Sequence, residues 1–187
     1  MKDYSELTSA ILSEIGGSMR SVAPESLDIL RQMIRDAGRI YVAGKGRSGL
    51  YMRAFAMRLM HLGLTVYVID DVTTPGIREG DLLIIGSGSG GTASLVNYAE
   101  KAKKMGAQLA LVTAAPTSPI GDKADHIIFI AAPTPKTPTI DGRTSIQPMA
   151  NLFEQTLGLL LDVVTIQLMD ELNLNSEQMF TRHANLE

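Results

Sequence analysis

The chain has 187 residues, 45% of them hydrophobic, no cysteine and a formal net charge of −3. That is the length of one domain with ample apolar material for a core. The scattered lysines and arginines offer no basic face to a nucleic acid or a membrane, and the lack of cysteine excludes disulfides, thiolate metal sites and cysteine catalysis.

Tyr4, Leu7, Ile11, Leu12 and Ile15 recur at helical spacing, and Leu27, Leu30 and Ile34 repeat the pattern until Gly38 stops it. Asp3, Glu6, Glu14 and Glu25 leave no apolar signal core in the first thirty residues, so a cytoplasmic protein is expected. Short, continuously apolar runs follow at 39–43, 65–69, 81–85, 108–113 and 126–130. Continuous rather than alternating apolarity marks strands covered on both faces, hence a parallel sheet under helices. Helical patterns at about 49–62 and 92–105 separate the runs. The proline-rich stretch 131–143 reads as a loop, either a surface connector or a lid. A long helix is predicted from Pro148 to about Asn173, broken by Asp162, Thr165 and Gln167 and so too polar for a membrane span, with a short helix near 176–182. The expected fold is α/β: a three-layer α-β-α sandwich on a five-stranded, mainly parallel sheet, Rossmann-like or flavodoxin-like. Residues 1–187 form one domain that includes the N-terminal helices (4–37) and the C-terminal helix and tail (148–187).

Two segments carry chemistry. Ile84-Ile85-Gly86-Ser87-Gly88-Ser89-Gly90-Gly91-Thr92 is a strand running into glycines interleaved with hydroxyls, and Tyr41-Val42-Ala43-Gly44-Lys45-Gly46-Arg47-Ser48-Gly49 repeats that plan about forty residues earlier. Glycines let backbone N–H groups turn onto a ligand, hydroxyls add donors, and a following helix adds the positive end of its dipole. Both segments therefore read as anion cradles at strand ends, where open parallel sheets bind ligands. Candidate phosphate-binding residues are Gly46, Arg47, Ser48, Ser87, Gly88, Ser89, Gly90, Gly91 and Thr92. Arg47 is either a phosphate or sugar contact or one half of a surface ion pair, and Ser48 is a candidate helix N-cap.

Gly44-Lys45-Gly46-Arg47-Ser48-Gly49 also fits the dinucleotide pattern G-x-G-x-x-G, with Asp70 about twenty residues on, where a ribose-binding acid would stand. Against it stand the second, hydroxyl-richer loop, the short chain and the largely helical residues before the first strand. A purely structural role for the glycines is a third reading.

Gly46-Arg47-Ser48-Gly49, the helix around Phe55–His61, the Gly86–Gly90 loop, Gln147-Pro148-Met149 with Phe153-Glu154-Gln155, and the ending Arg182-His183-Ala184-Asn185-Leu186-Glu187 resemble the 6-phospho-3-hexuloisomerase family of the sugar-isomerase (SIS) superfamily. The resemblance covers nearly the whole chain. It implies an SIS-type fold and interconversion of D-arabino-hex-3-ulose 6-phosphate and fructose 6-phosphate, without metal or nucleotide, in a tetramer. It departs at Gly91, where family members often carry a charged or polar residue, so only the backbone N–H argument applies there. Arabinose 5-phosphate as substrate, or a sugar-phosphate sensor without turnover, remains open.

Moving a carbonyl from C3 to C2 through an enediol needs one carboxylate that can reach both carbons and a near-neutral group for the oxygen protons. Periodicity puts Glu154 beside Asn151, Gln155 and Gly158 on the less apolar stripe of its helix, a stripe that by pattern alone faces water; the resemblance makes it the catalytic acid. His126, opening a strand, reads as structural. His61 lies thirteen residues beyond Ser48, about 20 Å away at about 1.5 Å per residue. It either caps its helix or serves a neighbouring subunit's site, and the resemblance favours function for His61 and for His183 in the tail. No metal site is expected: no histidines or carboxylates show ligand spacing, and Asp70 and Asp71 point to different sides. The apolar N-terminal helices and the Leu157–Leu161 segment exceed what one sheet needs, which predicts a homo-oligomer.

Overall fold

In the computed structural model, residues 3–136 and 144–186 are described; 137–143 of the proline-rich loop and the terminal Glu187 lie outside them. In chain order come α1 (Tyr4–Met19), α2 (Pro24–Asp36), β1 (Ile40–Gly44), α3 (Gly46–His61), β2 (Val66–Val68), β3 (Leu82–Gly86), α4 (Ala93–Lys104), β4 (Gln108–Thr113), β5 (His126–Phe129), α5 (Asn151–Glu171) and α6 (Ser176–Phe180).

The strands pair in the order β2-β1-β3-β4-β5, and every pairing is parallel. The chain leaves β1 toward one edge and returns to its other side, so the direction of winding reverses between β1 and β3. Such a switch point opens a crevice beyond the carboxyl ends of the two strands. Gly44 pairs with Gly86 in the register, which sets the two glycine-rich segments side by side at that crevice.

Strand residues serve the two faces alternately. Ile40, Val42, Leu82, Ile84, Ala110 and Val112 pack with α2, α3 and α5, while Tyr41, Ala43, Leu83, Ile85, Leu109 and Leu111 pack with α4. With about 2 kcal/mol from each large aliphatic side chain withdrawn from water, these two layers hold the sandwich together. The outer helix α1 packs on α5. By length and composition α5 is apolar enough to cross a membrane, with a mean hydropathy of 1.4, contrary to the sequence reading. Half of that window is buried, with Leu157, Leu160, Leu161 and Val164 in the core, which accounts for its apolarity.

The dinucleotide pattern has a structural explanation here. A Cβ on Gly49 would lie 2.7 Å from the Gly44 carbonyl oxygen, so Gly44 and Gly49 are small because α3 starts in contact with β1. Gly46 has a φ of +57°, a conformation that L side chains resist.

At the opposite end of the sheet Asp81, 2% exposed, accepts from Arg39 Nη2 at 2.6 Å, Arg39 Nε at 3.0 Å and the Arg78 N–H at 2.8 Å. Burial pushes its carboxyl up; Arg39 and the Arg78 N–H outweigh this, so it titrates below the ordinary aspartate value. Its contribution to stability is complete above that ordinary value and is lost as pH falls through the depressed one. Asp81→Ala, which leaves Arg39 without its carboxylate, is expected to cost about 3 kcal/mol in urea unfolding at neutral pH, with a smaller difference from wild type in acid.

Candidate active site

A cavity of about 210 Å³ opens at the switch point. Its floor is the β3–α4 loop, with Gly86, Ser87, Gly88 and Ser89. Lys45 and Ser48 come from the β1–α3 junction, Thr92 from the start of α4, Thr134–Lys136 from the loop after β5, and Met149, Ala150, Phe153 and Glu154 from the start of α5. Helices α3, α4 and α5 thus all begin at this cavity, and three positive dipole ends converge on it.

The floor is held from below. Ser87 N–H donates to the Val112 carbonyl at 3.0 Å, the Gly88 carbonyl accepts from Ala114 N–H at 3.1 Å and Thr113 Oγ1 at 3.2 Å, and the Ser87 hydroxyl accepts from Gly90 N–H at 3.1 Å. The N–H groups of Gly88, Ser89 and Thr92 donate to no protein acceptor among the described residues. Thr92 is the N-cap of α4, and its hydroxyl makes no capping bond. Together these groups form a set of donors suited to a phosphate.

The predicted binding residues divide. Ser48, Ser87, Gly88, Ser89 and Thr92 line the cavity; Gly46, Arg47, Gly90 and Gly91 do not. Gly90, with a φ of +57°, lies so close to the Ser118 side chain that a Cβ would collide with it; its place is structural. Gly46 and Gly91 are exposed. Ser48 is not the N-cap of α3. Lys45 holds that position, since α3 begins at Gly46, and Ser48 sits buried in the first turn. Arg47 spans to α5, donating from Nη1 to Asn151 Oδ1 and lying 3.5 Å from Glu154 Oε2.

Glu154 does line the cavity, from the first turn of α5. The expected helix start at Pro148 is displaced to Asn151 by a turn in which Met149 adopts a φ of +59°.

Thr134, Lys136 and Asn151 escaped the sequence reading as site residues: no motif surrounds them, and they reach the cavity or its rim from the loop after β5 and the start of α5. Lys45 stands within the first glycine-rich segment but is not among the predicted binding residues. Lys45 is ion-paired with Asp70 rather than free in solvent, and Tyr98 donates its hydroxyl to the same carboxylate at 2.6 Å. The Asp70 carboxylate, with the Tyr98 hydroxyl, holds the Lys45 ammonium above the usual lysine value, and Lys45 in turn holds Asp70 below the usual aspartate range. Asp70, with a φ of +85°, is thereby engaged; Asp71 turns instead to Arg53 at 2.9 Å.

His61 and His183 are brought together, but elsewhere. Their rings stack at 5.5 Å in a separate cavity bordered by Arg58, Asp162 and Phe180. None of its lining residues is shared with the first cavity. The full 16-residue length of α3, on the order of 24 Å at about 1.5 Å per residue, separates His61 from the site at the start of that helix. His61 is 4% exposed. Burial, with Arg58 and His183 beside it, holds its imidazole below the usual histidine value. His126 is tied by Nε2 to the Ser26 carbonyl at 2.7 Å, as a structural residue would be. Among the described residues no three histidine or carboxylate side chains converge as a metal site would require.

Residues 33–160 match the SIS domain family, and the chain belongs to that family. Along nearly its whole length it is similar to 3-hexulose-6-phosphate isomerases. It is 46% identical over 182 residues to that of Bacillus subtilis, covering 97% of this chain and 98% of the relative. It is 43% identical over 185 residues to that of Mycobacterium gastri, covering 99% and 92%. Among solved structures, a Methanococcus jannaschii protein whose structure infers a 3-hexulose-6-phosphate isomerase function superposes with a TM-score of 0.82, at 33% identity over 97% of this chain and 99% of the other.

Proposed function

We propose that the protein is a 3-hexulose-6-phosphate isomerase, interconverting D-arabino-hex-3-ulose 6-phosphate and fructose 6-phosphate in the ribulose monophosphate route of formaldehyde fixation. The observation that carries this reading is a carboxylate, Glu154, in the same cavity as the phosphate-suited donors of Gly88, Ser89 and Thr92. With the phosphate held there and at Ser48, Glu154 takes the proton from C2 of the 3-hexulose and returns one to C3 of the enediol. The electron pair stays within the sugar, so the reaction calls for no nucleotide or metal. Arg47 orients the carboxylate through its contacts to Asn151 and Glu154.

The oxygen protons fall to His61 and His183 of a neighbouring subunit. Exposed Leu50, Met57 and Met60 on α3 and Leu159 and Ile166 on α5 support association. So does Gln155 Oε1, buried without a partner among the described residues, in the groove between those two helices. The resemblance makes the assembly a homotetramer, and the sparse, scattered basic residues fit a cytoplasmic protein without nucleic-acid or membrane partners.

Incubation with fructose 6-phosphate in deuterated water, followed by proton NMR, tests this reading. Deuterium entering C3 while the 3-hexulose 6-phosphate appears is the expected result. Bound fructose 6-phosphate with neither exchange nor a new sugar would replace turnover by sensing, and exchange seen only with arabinose 5-phosphate would change the substrate.

A further inference from the structure

The outer helix α1 lies before the residues that match the SIS domain family and contributes nothing to the cavity lining. Yet the chain that enters α5 is fastened to it. Glu14 Oε1 accepts from the Ile146 N–H at 2.8 Å, and Oε2 accepts from the Ser145 hydroxyl at 2.7 Å and from Gln147 Nε2 at 3.0 Å. The Ser145 hydroxyl accepts in turn from the Gln147 N–H at 3.0 Å. One carboxylate thus orders three consecutive residues.

The next residues along the chain form a wall of the site. Pro148, Met149 in its positive-φ conformation and Ala150 make the turn into α5, and the Ala150 carbonyl accepts from the Glu154 N–H at 3.0 Å. Met149, Ala150 and Glu154 all border the cavity. The same helix also fixes the chain after β5: Ser18, 2% exposed, donates to the Ala131 carbonyl at 2.9 Å, and Ser21, just beyond α1, accepts from the Ala131 N–H at 3.0 Å. Hydrogen bonds to a charged acceptor are stronger than neutral ones. A turn with a non-glycine residue at positive φ persists only where its surroundings impose it.

We propose that Glu14 is a positioning residue for the isomerisation. It fixes the 145–150 segment, and through it the place of the Glu154 carboxylate over the substrate. The kinetic side of this proposal rests on the function proposed above; the structural side does not.

The experiment compares Glu14→Ala, Glu14→Gln and Glu14→Asp in the full-length protein, each first shown to be folded by circular dichroism. Glutamine keeps one carbonyl acceptor for Ile146 and an amide that can meet Ser145; aspartate keeps the charge but withdraws it by one methylene. Glu14→Ala is expected to lower kcat about 10²-fold, as a displacement on the order of 1 Å of a catalytic group does, with KM little changed. Glu14→Gln recovers most of that loss and Glu14→Asp falls between. In a Glu154→Gln background, Glu14→Ala adds little further loss, because the group it positions is already gone. An unchanged kcat in Glu14→Ala, or an equal loss in both backgrounds, overturns the proposal. If Glu14→Ala does not fold, Glu14→Asp is judged by the same criteria. Hydrogen–deuterium exchange separates this proposal from the functional one. Faster amide exchange at 145–154 in Glu14→Ala, with β1 and α3 unaffected, supports the hold even if the wild-type protein turns over no hexulose phosphate, and unaltered exchange there overturns it.

Discussion

Glu154→Gln is expected to leave the fold and phosphosugar binding intact and to lower kcat about 10³-fold, in the middle of the range for loss of a general base. The amide matches the carboxylate in shape. It can still accept from Arg47, which lies 3.5 Å from Glu154 Oε2 and donates also to Asn151, so the start of α5 stays in place. The phosphate-suited donors belong to the β3–α4 loop, which is fastened to β4 and not to Glu154. The variant lacks Glu154, the carboxylate among the described residues of the cavity that could take a proton from carbon and give it back. KM for fructose 6-phosphate should therefore stay within a few-fold of wild type, and deuterium should no longer enter C3. Turnover within about threefold of wild type would remove Glu154 from the mechanism. An equal collapse of binding would make the residue structural.

The strands were legible because each is an apolar run without alternation, and burial on both faces is what such a run records. Ile84 and Ile85 face opposite layers, yet both are fully buried. Their spatial order was not legible. Nothing in the residues of β2 says that it pairs outside β1, and that choice creates the crevice where Gly44 and Gly86 meet. Helix starts were misread where the backbone departs from the common regions. The chain turns at Gly46, with its positive φ, directly into α3, so the cap falls to Lys45 and not Ser48, while the positive φ of Met149 marks the turn that delays α5 and places Glu154 in its first turn. Arg47 reads either as a phosphate or sugar contact, for the paired donors of its fork, or as half of an ion pair. The structure gives it Asn151 and Glu154, partners more than a hundred positions away that no local pattern announces. The pairing of His61 with His183, and the hold of Glu14 on residues 145–147, are of the same long-range kind.

Mixing two inactive variants is expected to restore activity. The His61–His183 cavity and the Glu154 cavity lie at opposite ends of α3, and a side chain cannot cross a 16-residue helix. If histidine handles the oxygen protons, it must come from another copy of the chain. His61 is suited to this role, because its imidazole, held below the usual histidine value, is uncharged at neutral pH and can accept one proton while donating another. His61→Ala and Glu154→Gln should then each be at least about 10²-fold impaired alone. In an assembly formed from equal amounts of both, some sites combine the intact Glu154 of one variant with the intact His61 of the other. For random pairing across a two-fold axis these are about one quarter of all sites. Recovery to roughly that fraction of wild-type activity, after the subunits are dissociated and reassembled together, would place the histidine in its neighbour's site. If His61 acted within its own chain, every mixed assembly would stay as inactive as its components; if it only capped α3, His61→Ala alone would retain turnover. His183→Ala paired with Glu154→Gln asks the same of the tail. Because the two imidazoles stack, recovery with one but not the other would identify which of them meets the sugar and which supports it from behind.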